Sequence, residues 1–183
     1  MRLINAQGLE STGVREIARA LKISPGNLSY YFGRKEDIVE HHLNKLKHEL
    51  AVLIEIYQQE EEDLYRFLEL LKNCLSRQFE YRGLFHQDSR VSPDLLSELV
   101  EKNIVQLGQL GQLQLSEEDH RFLTGVINFH LQFWLNGIPL ERAAEDQDAL
   151  LRKYLLIFTK LLLLFASPGG RINLLKFKAG LMR

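Results

Sequence analysis

From Lys35 onward the chain places Val39, Leu43, Leu46, Leu50, Leu53 and Tyr57 at spacings of 4, 3, 4, 3 and 4. Only an α-helix gathers residues so spaced onto one face, and a stripe this narrow calls for one packing partner along its whole length. The period recurs in Leu64, Leu68, Leu71, Leu75 and Phe79, and again in Phe122, Val126, Phe129 and Phe133. Nowhere do apolar and polar residues alternate as they do in a half-buried strand, so the chain reads as all-α. Its 183 residues can bury a real core, and 45% apolar residues, 26% charged residues and only 4 prolines exclude fibrous and low-complexity classes.

Turn and cap residues divide the helices. Gly8 closes a short helical tail at residues 2–7, and Thr12-Gly13 opens a two-turn helix with Val14, Ile17, Ala18 and Leu21 on one face. Lys22-Ile23 makes a break. Ser24-Pro25 then starts a short helix to about Tyr31, because serine caps free amides and proline at the first helical position sacrifices no hydrogen bond. Gly33 ends it. The long helix runs from Lys35 to Gln58, Ser92-Pro93 opens another to about Leu107, and Ser116 with Asp119 forms a capping box ahead of a helix ending near Asn136-Gly137.

The helix from Asp146 to Ala166 is apolar around most of its circumference and must bury two faces. A subunit contact supplies the second, which points to a homodimer held by Tyr154, Phe158, Leu161 and Phe165 against a partner near residues 122–136. Ser167-Pro168-Gly169-Gly170 reads as its stop, and a last amphipathic segment spans Ile172 to Met182.

Charge is uneven. Residues 1–48 hold eight bases against five acids, and residues 49–183 hold fifteen against nineteen. A basic front on an acidic body points to an anion as partner of the first part. The most apolar segment, Leu155 to Ala166, is broken by Lys160 and is too short to span a bilayer, and the N-terminus lacks a signal peptide's apolar stretch. A single cysteine, Cys74, forbids an internal disulfide, and the chain reads as cytoplasmic. His41 and His42 are neighbours and diverge on a helix, unlike the i, i+4 pair of a metal site, so no metal or cofactor is expected. Cys74, between Leu71 and Leu75, reads as a buried thiol. No nucleophile–base set or phosphate loop appears, and the chain reads as no enzyme.

Two short helices joined by a tight turn within the basic stretch form a helix-turn-helix, whose second helix lies in the major groove of double-stranded DNA. In Pro25-Gly26-Asn27-Leu28-Ser29-Tyr30-Tyr31, Leu28 is the one residue suited to a core. Asn27, Ser29, Tyr30 and Tyr31 remain to bond base edges or phosphates.

Val14-Arg15-Glu16-Ile17-Ala18, Ile23-Ser24-Pro25-Gly26-Asn27-Leu28 and Tyr30-Tyr31-Phe32-Gly33-Arg34-Lys35-Glu36-Asp37-Ile38 together resemble the signature of the TetR/AcrR family of bacterial transcriptional regulators. The resemblance implies an N-terminal DNA-binding domain over residues 1–48, with a truncated first helix. It implies a helical effector-binding and dimerisation domain over 49–183. It also implies that Asn27 faces bases, that Gly26 lets the backbone approach DNA, that Tyr30 and Tyr31 touch phosphates or thymine methyls, that Lys35 meets a phosphate, and that Thr12 is the hydroxyl residue before the second helix. Lys22 departs from the family's turn glycine, Ser29 from a frequent tyrosine, and Arg34 from a serine or threonine cap while adding a phosphate-seeking charge. By analogy with the family, Phe79, Phe129, His130, Phe133 and Trp134 would line a pocket for a small-molecule effector. The resulting expectation is a homodimeric repressor released from a DNA operator by that effector. The rivals are a member that dimerises without binding DNA, and an α-helical carrier or enzyme.

Overall fold

The computed structural model describes residues 1–59, 61–85, 94–136 and 147–182. Among these are helices α1 (Arg2–Gln7), α2 (Val14–Leu21), α3 (Pro25–Tyr31), α4 (Lys35–Tyr57), α5 (Leu64–Glu80), α6 (Arg82–Phe85), α7 (Asp94–Gln109), α8 (Glu117–Phe133), α9 (Gln147–Leu163) and α10 (Pro168–Leu181). No strand occurs among the described residues beyond an isolated bridge between Leu113 and Ala166. No described helix is long and apolar enough to cross a membrane.

Capping follows the sequence closely. Ser24 Oγ accepts from the Asn27 amide at 3.1 Å, Asp63 from Arg66 at 2.8 Å and Ser116 from Asp119 at 3.1 Å, each satisfying an otherwise orphaned helix donor. Ser167-Pro168 proves to be a start rather than a stop. Ser167 Oγ takes the Gly170 amide at 3.1 Å and Pro168 opens α10 four residues before the expected Ile172. Ser92, Pro93 and the segment from Gly137 to Asp146 lie outside the described residues.

Helix α5 is the axis of the body. Leu64, Phe67, Leu68, Leu71, Cys74 and Leu75 are all wholly buried between α4, α9 and α10, and burial pushes the Cys74 thiol up to about 12. A second, small core joins Ala18, Leu28 and Ile38 with Val14, Ile17 and Phe32 across α2, α3 and α4. Helix α4 serves both cores, Ile38 in the small one and Val39, Leu46, Leu50 and Tyr57 in the large one, so a tilt of α4 must move α2 and α3.

Helix α1 belongs to the body. Ile4 is buried in the large core, and Asn5 makes two bonds to chain near α6: its Nδ2 donates to the Glu80 carbonyl at 2.7 Å, and its Oδ1 accepts from the Gly83 amide at 2.9 Å. Gly83 has no side chain to spare here, because a Cβ would run into the Ile4 carbonyl.

Lys22 ends α2 in the left-handed conformation, φ 57° and ψ 38°. A side chain there costs roughly 1 kcal/mol relative to glycine. Lys22→Gly is therefore expected to raise the unfolding free energy by about 1 kcal/mol, read as a shifted urea midpoint with an unchanged m-value.

Candidate nucleic-acid interface

Helix α3 holds on to the protein through Leu28, with Phe32 half-buried at its end, and gives its remaining surface to solvent. Tyr30 is 83% exposed and Tyr31 is also exposed, the two rings meeting edge to face at 5.1 Å. Leaving two aromatic rings in water forgoes burial energy, which makes this face a candidate contact surface. Gly26, Asn27, Ser29 and Arg34 are exposed with them. A Cβ on Gly26 would come no nearer to the protein than 4.0 Å, to Ser24 Oγ, so this fold does not itself require glycine there.

Two of the expected contacts turn inward. Thr12 is wholly buried, its Oγ1 donating to the Gly8 carbonyl at 2.7 Å. Lys35 Nζ donates to the Leu9 carbonyl at 2.9 Å, which draws the ammonium over the turn between α1 and α2. Both bonds satisfy carbonyls of the turn that follows α1, and that of Lys35 ties the turn to α4. Arg34 is the exposed cation at the start of α4. Its side chain does not cap the helix; Asp37 reaches back to accept the Arg34 amide at 2.8 Å and lies 3.5 Å from the guanidinium.

His41 and His42 stand between the small core and the body. Burial first, then neighbouring positive charge, lowers the His42 pKa to about 4, and its ring stacks edge-on to Tyr81 at 6.3 Å. Beside them a cavity of about 560 Å³ is lined by Leu3, Ile4, Ile17, Leu28, Phe32 and His42, among others.

The five aromatic positions expected to share a pocket separate. Phe79 and Trp134 are buried together, ring centroids 6.3 Å apart. Trp134 Nε1 donates to Gln78 Oε1 at 2.8 Å, and the Tyr154 hydroxyl donates to the Trp134 carbonyl at 3.2 Å. His130 is half-buried, with Nδ1 2.8 Å from the Val126 carbonyl. Phe129 is 61% exposed and Phe133 is exposed beside it, so both face away from Trp134's surroundings. The reason is that α8 carries two stripes at helical spacing. Leu123, Ile127 and Leu131 take the inside, leaving Phe122, Val126, Phe129 and Phe133 on the outside.

Helix α9 is likewise two-faced. Leu151, Leu155, Phe158 and Leu162 are buried within the chain, whereas Leu150, Tyr154, Ile157 and Leu161 are half-buried and Leu164, just past its end, is 71% exposed. Phe158 is wholly buried with its ring 6.0 Å from His130, so it is a core residue and its place on the outer face passes to Leu164. The ring pairs Phe122 with Phe165, His130 with Phe158 and Trp134 with Tyr154 show α8 and α9 running antiparallel. Their outer stripes together form one apolar surface. Spacing alone shows that α8 bears two stripes, but only neighbouring α7 and α9 decide which one they cover.

Residues 1–41 match the family model described as bacterial regulatory proteins, tetR family. No curated protein matches the chain in sequence. Among solved structures, a TetR-family transcriptional regulator from Marinobacter aquaeolei VT8 is similar with a TM-score of 0.79 at 18% identity, over 98% of this chain and 93% of that one. The ketosteroid transcriptional regulator KstR2 of Mycobacterium tuberculosis is similar with a TM-score of 0.56 at 19% identity, over 91% of this chain and 90% of that one. Residues 1–41 are thus similar to the tetR family of bacterial regulatory proteins, and the chain as a whole has the fold of solved TetR-family transcriptional regulators.

Proposed function

We propose that the protein is a homodimeric repressor that reads a near-palindromic DNA operator through α3 and releases it when a small molecule binds the body. The observation that carries the DNA-reading part is α3 itself, held by Leu28 and presenting Gly26, Asn27, Ser29, Tyr30 and Tyr31 to solvent, with Arg34 close by. Asn27 suits a base edge, Arg34 a phosphate, and the tyrosine pair either a phosphate or a thymine methyl. Repression needs no chemistry beyond occupancy of the site.

Dimerisation follows from the outer stripes of α8 and α9. Pairing two copies across a two-fold axis gives a four-helix bundle that covers Phe122, Phe129, Phe133, Leu161 and Leu164. Reading an operator then requires the two α3 helices to enter successive major grooves, about 34–36 Å apart. For the effector, Phe79 and Trp134 beside the polar Gln78 are the members of the expected pocket that keep an interior position. A ligand wedged there would press on α6, which begins three residues after Phe79 and is bonded to Asn5 of α1. Since α1 in turn is joined through its turn to Lys35 of α4, the strain has a continuous route to α3.

Gly26→Ala separates reading from folding. With open space around the new Cβ, alanine in α3 is expected to raise stability by a few tenths to 1 kcal/mol, yet to weaken operator binding by about tenfold where the backbone meets DNA. Gel shifts with DNA upstream of the protein's own gene, run beside thermal melts, check both. Equal or tighter binding by the variant would remove α3 from the interface. Arg34→Ala is expected to lower the salt slope of binding by about one unit per subunit, whereas Lys35→Ala acts through the Leu9 turn and lowers stability instead.

A further inference from the structure

We propose that the outer face of α10 is a docking seam for an amphipathic helix with acidic flanks carried by another protein. Helix α10 is anchored by Gly170, Leu174 and Phe177, all buried, with Gly170 so close to α5 and the Gln112 carbonyl that a Cβ would collide with both. On the opposite side Ile172, Leu175 and Met182 are 68%, 55% and 65% exposed, with Ala179 exposed between them. Positions 172, 175, 179 and 182 are spaced 3, 4 and 3, the a/d repeat by which one helix receives another.

The width of the stripe selects the occupant. At 3.6 residues per turn the four positions fall within an arc of roughly 80°, narrower than the face of 100° or more with which helices bury broadly against a core, and the width of a coiled-coil seam. A bilayer would require a broad apolar face, which α10 has already committed to its own core.

Charge narrows the choice further. After Asp148 the sequence contains seven bases and no acid. Around α10, Arg171 and Lys178 lie on one side of the seam and Lys176 on the other, where flanking positions of a paired helix meet their counterparts. Lys176 Nζ sits 5.1 Å from the Tyr65 ring centroid, and among the described residues none of these three bases forms an ion pair with a carboxylate. A second copy of α10 would bring base against base, so self-pairing is opposed. Glutamates or aspartates on both flanks of an apolar stripe would meet these bases while Leu-sized side chains cover Ile172 and Leu175.

The probe is a fluorescein-labelled two-heptad peptide with leucine at a and d and glutamate at e and g, titrated into the full chain and followed by anisotropy. Its counterpart carries lysine at e and g. The acidic peptide is expected to bind with a Kd of about 10 μM, to be released by high salt, and to lose at least tenfold in affinity to Ile172→Ser/Leu175→Ser, while the lysine peptide does not bind. Because both positions are exposed, the double variant is expected to melt as the parent does, which keeps the comparison free of unfolding. Equal binding by the two peptides, no binding by the acidic one, or binding untouched by the double variant would overturn the proposal. So would stripe-dependent flotation with phosphatidylglycerol vesicles, which assigns the face to lipid, or a changed sedimentation coefficient of the double variant alone, which assigns it to a second copy.

Discussion

Gly83→Ala is expected to cost about 3 kcal/mol of stability and to abolish operator binding with it. The new Cβ would meet the Ile4 carbonyl, and neither backbone can yield without pulling α1 from α6. Once α1 lifts, Asn5 loses its bonds to the Glu80 carbonyl and the Gly83 amide, a buried donor is left unpaired, and Ile4 leaves the large core. The turn that Thr12 and Lys35 secure goes next, and with it the orientation of α2 and α3. Asn5→Ala tests the same joint more gently, at about 2 kcal/mol. Urea titrations of both variants measure the cost, and gel shifts measure its consequence. A Gly83→Ala protein that unfolds at the parent midpoint would show that α1 is not fastened where its hydrogen bonds place it.

Phe129→Glu/Leu164→Glu is expected to turn a dimer into a folded monomer. Both side chains already stand in solvent within one chain, at 61% and 71% exposure, so charge there leaves the monomer intact. At the centre of a subunit contact the same charges are desolvated without partners, and the dimer Kd is expected to rise more than a hundredfold, about 2.7 kcal/mol or more. Sedimentation at micromolar concentration reads the change. Phe158→Glu gives the contrast. Its ring is wholly buried against His130, so a carboxylate there is expected to unfold the chain, at a cost above about 4 kcal/mol, and not merely to dissociate it. If the parent sediments as a monomer, or if the exposed double variant remains dimeric, the contact through α8 and α9 is refuted.

The helices, and the one among them that keeps a single core residue, were legible in the amino-acid sequence. Stripes at 3.6-residue spacing, Ser24-Pro25 at the start of α3 and the Ser116–Asp119 box at the start of α8 act within one or two turns, and short-range hydrogen bonds need no distant partner. For the same reason the sequence shows α3 as a helix with one core residue, Leu28, and a polar remainder. The Ser167-Pro168 start of α10 was equally legible by this rule, but the two glycines after it read as a stop.

What each face meets depends on how the helices pack. Helix α8 has two stripes of similar character, and periodicity is unchanged when a helix turns about its axis, so Phe129 and Phe133 on the outside and Leu123 and Ile127 on the inside could have been exchanged. Phe158, expected on the outer face of α9, lies inside for the same reason. Thr12, Lys35 and Asn5 are polar residues whose partners are backbone groups, and a carbonyl such as that of Leu9 or Glu80 looks alike at every position of a sequence. Which one a side chain reaches follows from where the folded chain brings that backbone, and for Asn5 and Gly83 the meeting spans 78 residues.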